Sequence, residues 1–207
     1  MSKMELFEAT FSKLPASEGN RISTEARKER KYESTVLSYG EIEFESFGSL
    51  LCNLSKYGVN ISGLYNFVDI GSGTGKAVIC AALMGVFEKC TGIEIIAELY
   101  KASIQMLKGY YRHCQTSNEV IAVDFILGDA TFIDWSKTDL VFAHATCFDD
   151  PTMERLSKTA SKMNSGSIII LLSNRLRNED LFTLISASEV ATSWGAATAY
   201  VYQRNQL

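Results

Sequence analysis

The chain has 207 residues, 46% hydrophobic and 21% charged, the balance of one ordinary folded domain rather than a disordered chain. Lys and Arg total 20 against 24 Asp and Glu, a formal charge of −4, which is the wrong sign for a protein living on nucleic-acid phosphate. The longest uncharged apolar run, Ala77 to Phe87, is far short of the roughly 20 residues that span a bilayer, so no membrane partner is expected. No charged-then-apolar leader opens the sequence, and secretion is not expected. The cysteine count is 5, odd and without CxxC spacing, which reads as reduced thiols in an intracellular compartment. The only histidines, His113 and His144, leave a zinc site little material, and no metal is expected.

Residues 1–38 read as a separate N-terminal helical or lid segment, and 39–207 as the main domain. Within the first, Glu25 to Lys31 form a dense run of mixed charge. It fits a solvated helix, or a segment that docks substrate. Phe44, Phe47, Leu51 and Leu54 fall at helical spacing, and Gly58 would stop that helix. Phe67, Val68 and Ile70 predict a strand running into a glycine cluster, followed by a helix from about Lys76 to Val86. Thr91 to Ile95 predicts a second strand, and Tyr100, Ile104, Leu107 and Tyr111 mark one face of the next helix. Ile121, Val123, Phe125 and Leu127 alternate as a third strand, and Asp139 to Ala145 is a fourth. Asp150-Pro151 predicts a helix start with an acidic cap, carried by Met153, Leu156, Ala160 and Met163 to Asn164-Ser165-Gly166. Ile168 to Leu172 is a fifth, buried strand. Asn178 predicts the cap of a further helix through Leu184 and Ile185. Val190 to Trp194 and Thr198 to Gln203 predict a strand pair around Gly195. Strands alternating with helices imply an α/β fold with helices on both faces of a mostly parallel, Rossmann-like sheet. The closing pair implies an antiparallel C-terminal strand, and a ligand belongs at the C-terminal ends of the strands.

Asp69-Ile70-Gly71-Ser72-Gly73-Thr74-Gly75 sits between a strand and a helix. Its GxGxG spacing differs from the GxGxxG of dinucleotide sites and lacks the GK[ST] ending of a P-loop. Asp69 would repel a pyrophosphate but would partner a cation. S-adenosylmethionine (SAM) carries an ammonium and a sulfonium. Glu94, ending the second strand, is placed to accept both hydroxyls of an adenosyl ribose. Asp129, ending the third, is placed to accept from an adenine amino group, with Ala130 beside it. Lys76 opens the helix after the loop and is a candidate partner for the methionine carboxylate.

This constellation resembles the class I SAM-dependent methyltransferases over about residues 39–203. Such a fold has a seven-stranded sheet. Three further segments resemble the disruptor-of-telomeric-silencing family, the non-SET histone lysine methyltransferases. Tyr39-Gly40-Glu41 is similar to a family loop that covers the cofactor. Phe142 and Phe148 match the family's Phe-x-Asn-Asn-x-x-Phe channel pattern, with His144 and Ala145 in place of the two asparagines. Ser193-Trp194-Gly195, with Tyr200 and Tyr202, resembles the family hairpin whose Trp and Tyr wall a lysine channel. The threonine that often follows Tyr-Gly-Glu is Ile42 here.

The resemblance implies SAM as cofactor, S-adenosylhomocysteine as product, and a protein-lysine substrate, histone or nucleosome, in a nuclear setting. A cytoplasmic setting goes with the alternatives: a non-histone lysine, a small amine, or a SAM-binding adaptor with weakened catalysis. It implies Tyr39, Glu41, Asp69, Gly71, Ser72, Gly73, Gly75, Lys76, Glu94, Asp129 and Ala130 as cofactor residues. Phe142, His144, Phe148, Trp194 and Tyr200 are the implied transfer channel. No sequence-specific nucleic-acid binding is expected. A lysine must arrive neutral, so an aromatic channel would hold its stem and disfavour its charged head, while His144 would bond the amine or take its proton. Cys147 lacks an identifiable base besides His144 and is read as inert, and His113-Cys114 as a helix end.

Overall fold

The computed structural model describes residues 1–29, 39–114, 120–177 and 179–206. Strands β1 (Asn66–Ile70), β2 (Lys89–Glu94), β3 (Ala122–Leu127), β4 (Leu140–Ala143) and β5 (Ile168–Leu172) run parallel. Strands β6 (Phe182–Thr192) and β7 (Gly195–Arg204) complete a seven-stranded sheet of order β3-β2-β1-β4-β5-β7-β6. Only β7 runs against its neighbours. The expected mostly parallel α/β sheet with one antiparallel C-terminal strand is the fold that forms.

Period-two alternation divides the sheet into two cores. Phe67, Leu140 and Phe142 point to one face. There they meet α3 (Phe44–Asn53), α4 (Lys76–Met84) and α5 (Ala97–His113), with α1 (Lys3–Phe11) packed behind. Val68, Ile70, Val141 and Ala143 point to the other, against Met153, Leu156 and Ala160 of α6 (Asp150–Ala160). Because both faces are covered, β5 is buried at every residue, which is why Ile168 to Leu172 shows no alternation. Helix α2 (Ala16–Glu29) lies on α5 through a narrow stripe, with Gly19, Ser23 and Ala26 buried. Arg21 bridges Glu18 and Glu25 on its exposed side, as a solvated helix requires. Arg30 and Lys31 of the charged run lie outside the described residues.

Several expectations are corrected. The predicted helix through Leu184 and Ile185 is strand β6, and its predicted cap, Asn178, lies outside the described residues. The 182–192 segment finds a full-length antiparallel partner in β7, from Phe182 opposite Arg204 to Thr192 opposite Gly195. That pairing outweighs any local helical preference. The cap of α6 is Asp149, whose carboxylate accepts the Thr152 N–H at 3.0 Å, one residue before the expected Asp150. The helix ends at Ala160 rather than running to Asn164. Strand β4 stops at Ala143, and the chain turns through a short 3-10 turn, Ala145–Cys147. Leu127 is 49% exposed, at the end of β3, which is an edge strand of the sheet.

Candidate active site

Strand β1 lies between β2 and β4, so connections leave it toward opposite sides and a crevice opens above its C-terminal end. The glycine loop fills that crevice. Gly75 adopts φ +89° and caps α4. A Cβ there would lie 2.4 Å from the Phe125 ring of β3. Both the backbone angle and the space demand glycine.

Glu94, buried at the end of β2, closes the loop from the other side. Its Oε2 accepts the Gly73 N–H at 2.7 Å and its Oε1 accepts the Ile96 N–H at 2.8 Å. Burial pushes this carboxyl above its usual range, and the backbone N–H donors oppose the shift. Asp69 is buried at the penultimate position of β1. Its Oδ1 has no hydrogen-bond partner, and burial together with the Glu94 charge holds its carboxyl well above the ordinary carboxylate range. Asp129 lies at the end of β3, where its Oδ1 accepts the Thr131 N–H at 2.8 Å. Ala130 is buried beside it, and its carbonyl accepts from the Trp135 indole at 3.0 Å.

These groups line two adjoining spaces. The larger, a cleft, runs from Gly71 past Glu94, Asp129 and Ala130 to Phe148 and Arg155 of α6. The smaller lies over Asp69, Ser72 and Gly73, beneath Glu41. Tyr39, Gly40, Gly71 and His144 line both. Among the described residues, four side-chain atoms of this crevice are buried without a hydrogen-bond partner: Asp69 Oδ1, Ser72 Oγ, Thr131 Oγ1 and His144 Nε2. A buried polar group left unsatisfied costs about 1–3 kcal/mol, so these atoms are free to bond water or a polar ligand in the crevice.

The segment before α3 closes the crevice from above. The Tyr39 ring packs between Gly73 of the loop and Gly19 of α2, where a Cβ would lie 2.6 Å and 2.5 Å from it. Its hydroxyl bonds the Glu41 carboxylate and lies 2.9 Å from Thr74 Oγ1. Glu41 also accepts from Thr74 at 3.0 Å and from the Lys76 ammonium at 2.5 Å. Lys76, a candidate ligand group by position, is thus engaged in holding the segment down. Beyond it, Glu41 and Ser193 exchange two bonds of 2.8 and 3.1 Å, and Ile42 pairs antiparallel with Thr192. The segment is stitched to the β6–β7 hairpin.

The five channel candidates do not all meet. Phe142 projects to the α3 face, 1% exposed, with its ring 4.9 Å from Phe47. Phe148 and Tyr200 pack with the opposite core. Alternate residues of a strand face opposite sides, so Phe142 contributes to the floor of the smaller space and walls no tube with Tyr200. Tyr200 lines neither space and lies under the Arg175 guanidinium, 5.0 Å away. His144 and Phe148 line the crevice, while Trp194 lines neither space and reaches it only through His144. Trp194, 50% exposed at the hairpin tip, stands edge-on to His144 at 6.1 Å. Gly40 lies between them, where a Cβ would be 2.7 Å from the indole nitrogen.

Sequence reasoning does not single out Thr74, Thr131, Arg155, Asn174 or Ser193 as site residues. Thr74 and Ser193 stand inside the quoted motifs. Thr152, Arg155 and Leu156 follow the Asp149 cap at helical spacing, a stripe that could have been read. Asn174 carries no local signal. Its amide donates to the carbonyls of Ala145 and Phe148 at 2.8 and 3.2 Å, pinning the turn that separates His144 from Phe148. The preceding Ser173 sits at φ +68°, a left-handed conformation held by this neighbourhood. Among the described residues no cluster of side chains could hold a metal ion, and no helix is long and apolar enough to cross a membrane.

The family model of histone methylation protein DOT1 matches residues 19–199. No curated protein matches the sequence. Among solved structures, an RNA methyltransferase from Salinibacter ruber in complex with S-adenosylhomocysteine is similar at 18% identity. It covers 77% of this chain and 92% of its own, with a TM-score of 0.55. The N-methyltransferase NodS from Bradyrhizobium japonicum is similar at 11% identity over 79% and 97% of the two chains, with a TM-score of 0.54. A mutant of MtNAS in complex with S-adenosylmethionine is similar at 15% identity over 92% and 74%, with a TM-score of 0.56. The chain therefore belongs to the DOT1 family of histone methylation proteins, on the fold of the class I SAM-dependent methyltransferases.

Proposed function

We propose that the protein is a SAM-dependent protein-lysine N-methyltransferase acting on a histone or nucleosome. The observation that carries the cofactor reading is the set of unpartnered buried atoms on one crevice, Asp69 Oδ1 and Ser72 Oγ above all. They fit the ammonium of SAM, which can donate to both. Glu94 fits the ribose hydroxyls, since each of its oxygens keeps a lone pair after accepting one backbone N–H. Asp129 and Ala130 fit the adenine, and Gly71, Gly73 and Gly75 allow close approach. When bound, SAM supplies a methyl group already activated on a sulfonium. The protein's own part is then positioning and exclusion of water.

Tyr39 and Glu41 would cover the methionine end, tied through Lys76 and Thr74 to the glycine loop itself. Residues 1–29 would serve as the lid's support, because Gly19 of α2 backs the Tyr39 ring. Phe148, Gly40, His144 and Trp194 would form the entrance for the nucleophile. The family match and the overall charge of −4 favour a protein over a nucleic acid. A nuclear location follows if the substrate is chromatin.

Transfer of tritiated methyl groups from SAM to recombinant nucleosomes, free core histones and cell extract tests this reading, with the modified residue found by mass spectrometry. Label on a histone lysine is expected. Label confined to another protein or a small amine would move the substrate assignment. SAM binding without any transfer would indicate an adaptor. With the substrate in hand, Trp194→Ala should lower turnover by roughly 10²-fold, the usual cost of misplacing a reactant, while SAM binding persists. Tyr200→Phe measured alongside shows whether its hydroxyl contributes through Arg175. Full turnover by Trp194→Ala would make the hairpin tip a structural turn only.

Cofactor binding should also release protons. Burial and the nearby Glu94 charge keep the ligand-free Asp69 carboxyl protonated above its ordinary range. A bound ammonium favours the carboxylate. Affinity should therefore rise as pH climbs from the usual carboxylate range of about 4 toward the raised value, then level off. The same group stabilises the ligand-free fold at low pH, and that contribution fades as pH rises through its folded-state value. Calorimetry in buffers of different ionisation enthalpy would count the protons. Buffer-independent heats for the wild type would remove Asp69 from this role.

A further inference from the structure

His144 leaves the end of β4 directly into the crevice. Among the titratable side chains of the described residues, only Tyr39 and His144 line both spaces. The Tyr39 hydroxyl is spent on Glu41 and Thr74. The imidazole is not spent, since its Nε2 is buried with no partner. The ring is also held in place. A Cβ on Gly40 would approach Cε1 to 3.0 Å, and the Trp194 indole stands edge-on beside it. A ring nitrogen that is fixed, buried and unpaired at the junction of a cofactor space and an opening is an acceptor awaiting a donor.

The groups facing it decide its charge. The lid presents Tyr39 and Glu41, and Glu41 is neutralised by Lys76. Strand β1 presents Asp69, β2 Glu94, the end of β3 Asp129, and α6 Arg155. None forms an ion pair with the imidazole within 4.0 Å among the described residues. Burial pushes the ring below the ordinary histidine range, which favours its neutral form. The lone pair is then available for a proton.

We infer that His144 Nε2 accepts a proton from the primary ammonium of the incoming substrate. The inference rests on the methyltransferase reading and adds the step by which the nucleophile is uncovered. One N–H bond of the ammonium breaks, its electron pair stays on nitrogen, and an Nε2–H bond forms. The positive charge passes from substrate to imidazole. The proton leaves to water once the opening is vacated. The neutral amine then carries the lone pair that methyl acceptance needs.

The test uses n-butylamine, the stem and head of a lysine side chain, titrated into the full chain saturated with S-adenosylhomocysteine. Wild type and His144→Asn are compared by calorimetry from about pH 5 to about pH 9, spanning the histidine range. In the wild type, amine affinity should fall about tenfold per pH unit on the acid side, with a midpoint below the usual histidine value of about 6.5. In His144→Asn this acid limb should vanish while S-adenosylhomocysteine affinity and melting temperature are retained, showing that the variant is folded. Nitrogen NMR of labelled histidine should show a neutral His144 ring near neutral pH whose Nε2 signal moves when the amine binds, as expected of a nitrogen that becomes the acceptor of the amine's proton. An identical pH profile in both proteins, an unmoved imidazole signal, or no amine binding to the saturated wild type would each overturn the role of His144. Failure of the wild type to bind SAM or S-adenosylhomocysteine at all would instead overturn the methyltransferase reading, and this inference with it.

Discussion

Glu94→Ala should cost the protein its cofactor and part of its stability in one step. The carboxylate is expected to accept the ribose hydroxyls, and in the ligand-free protein it also holds the Gly73 and Ile96 N–H groups at 2.7 and 2.8 Å. Hydrogen bonds to a charged group are each worth about 1.5–3 kcal/mol, and every 1.4 kcal/mol is about tenfold in affinity. A loss of at least ~100-fold in SAM affinity is expected by calorimetry. Thermal melting of the ligand-free variant should fall as well, because two buried donors lose their acceptor. Glu94→Gln separates the two effects. Its amide oxygen can serve one backbone N–H but not both, so its stability should lie between wild type and alanine. Unchanged SAM affinity in Glu94→Ala would remove this acid from the cofactor site and leave it as a loop brace.

Gly75→Ala should be the most damaging change in the glycine loop. At φ +89° a side chain costs about 1–2 kcal/mol on backbone grounds alone. The added methyl would also lie 2.4 Å from Phe125 Cζ and 2.8 Å from its Cε1, in a core that has no slack. Overpacking of this kind adds about 1–3 kcal/mol. Together these take up a large part of the ~5–15 kcal/mol that holds an ordinary domain. Gly85→Ala is the control. It shares a positive φ, +71°, at the C-terminal cap of α4, but its Cβ would meet nothing within 4 Å. Denaturant unfolding should show Gly85→Ala losing only the backbone part and Gly75→Ala losing clearly more. Equal losses would mean that the Phe125 ring moves aside freely and the close packing of loop on β3 is unimportant.

Much of the glycine-loop side of the crevice is legible in the sequence. Asp69 to Gly75, Glu94 and Asp129 sit at the ends of three consecutive strands, and strand ends can be read from where apolar runs meet turn residues. A parallel sheet then brings such ends together without further information, because every strand delivers its C-terminus to one edge. The Tyr39-Gly40-Glu41 segment is legible as a motif. Its locking partners Thr74, Lys76 and Ser193 are not legible as partners, since they stand 33 to 152 residues away from Glu41 in the chain.

The side of the crevice beyond β4 divides differently. Phe142 and Phe148 look equivalent in the sequence, yet one ring is buried against Phe47 and the other lines the cleft. Local spacing says which residues alternate but not which face turns toward the opening. The chain leaves β4 at Ala143 and turns, so the alternation that governs Phe142 no longer governs Phe148. The misread helix at Leu184 and Ile185 has the same origin, for that segment is a strand only because β7 is present to pair with it. By itself the sequence determined the α/β class, the glycine loop and the acids, because these follow from short-range periodicity and from residue types with few alternative uses. Only the tertiary structure decided which aromatics face the crevice, that Lys76 is paired with Glu41, and that Asn174 braces the turn beside His144. Those facts depend on contacts between residues far apart in the chain, which no local pattern records.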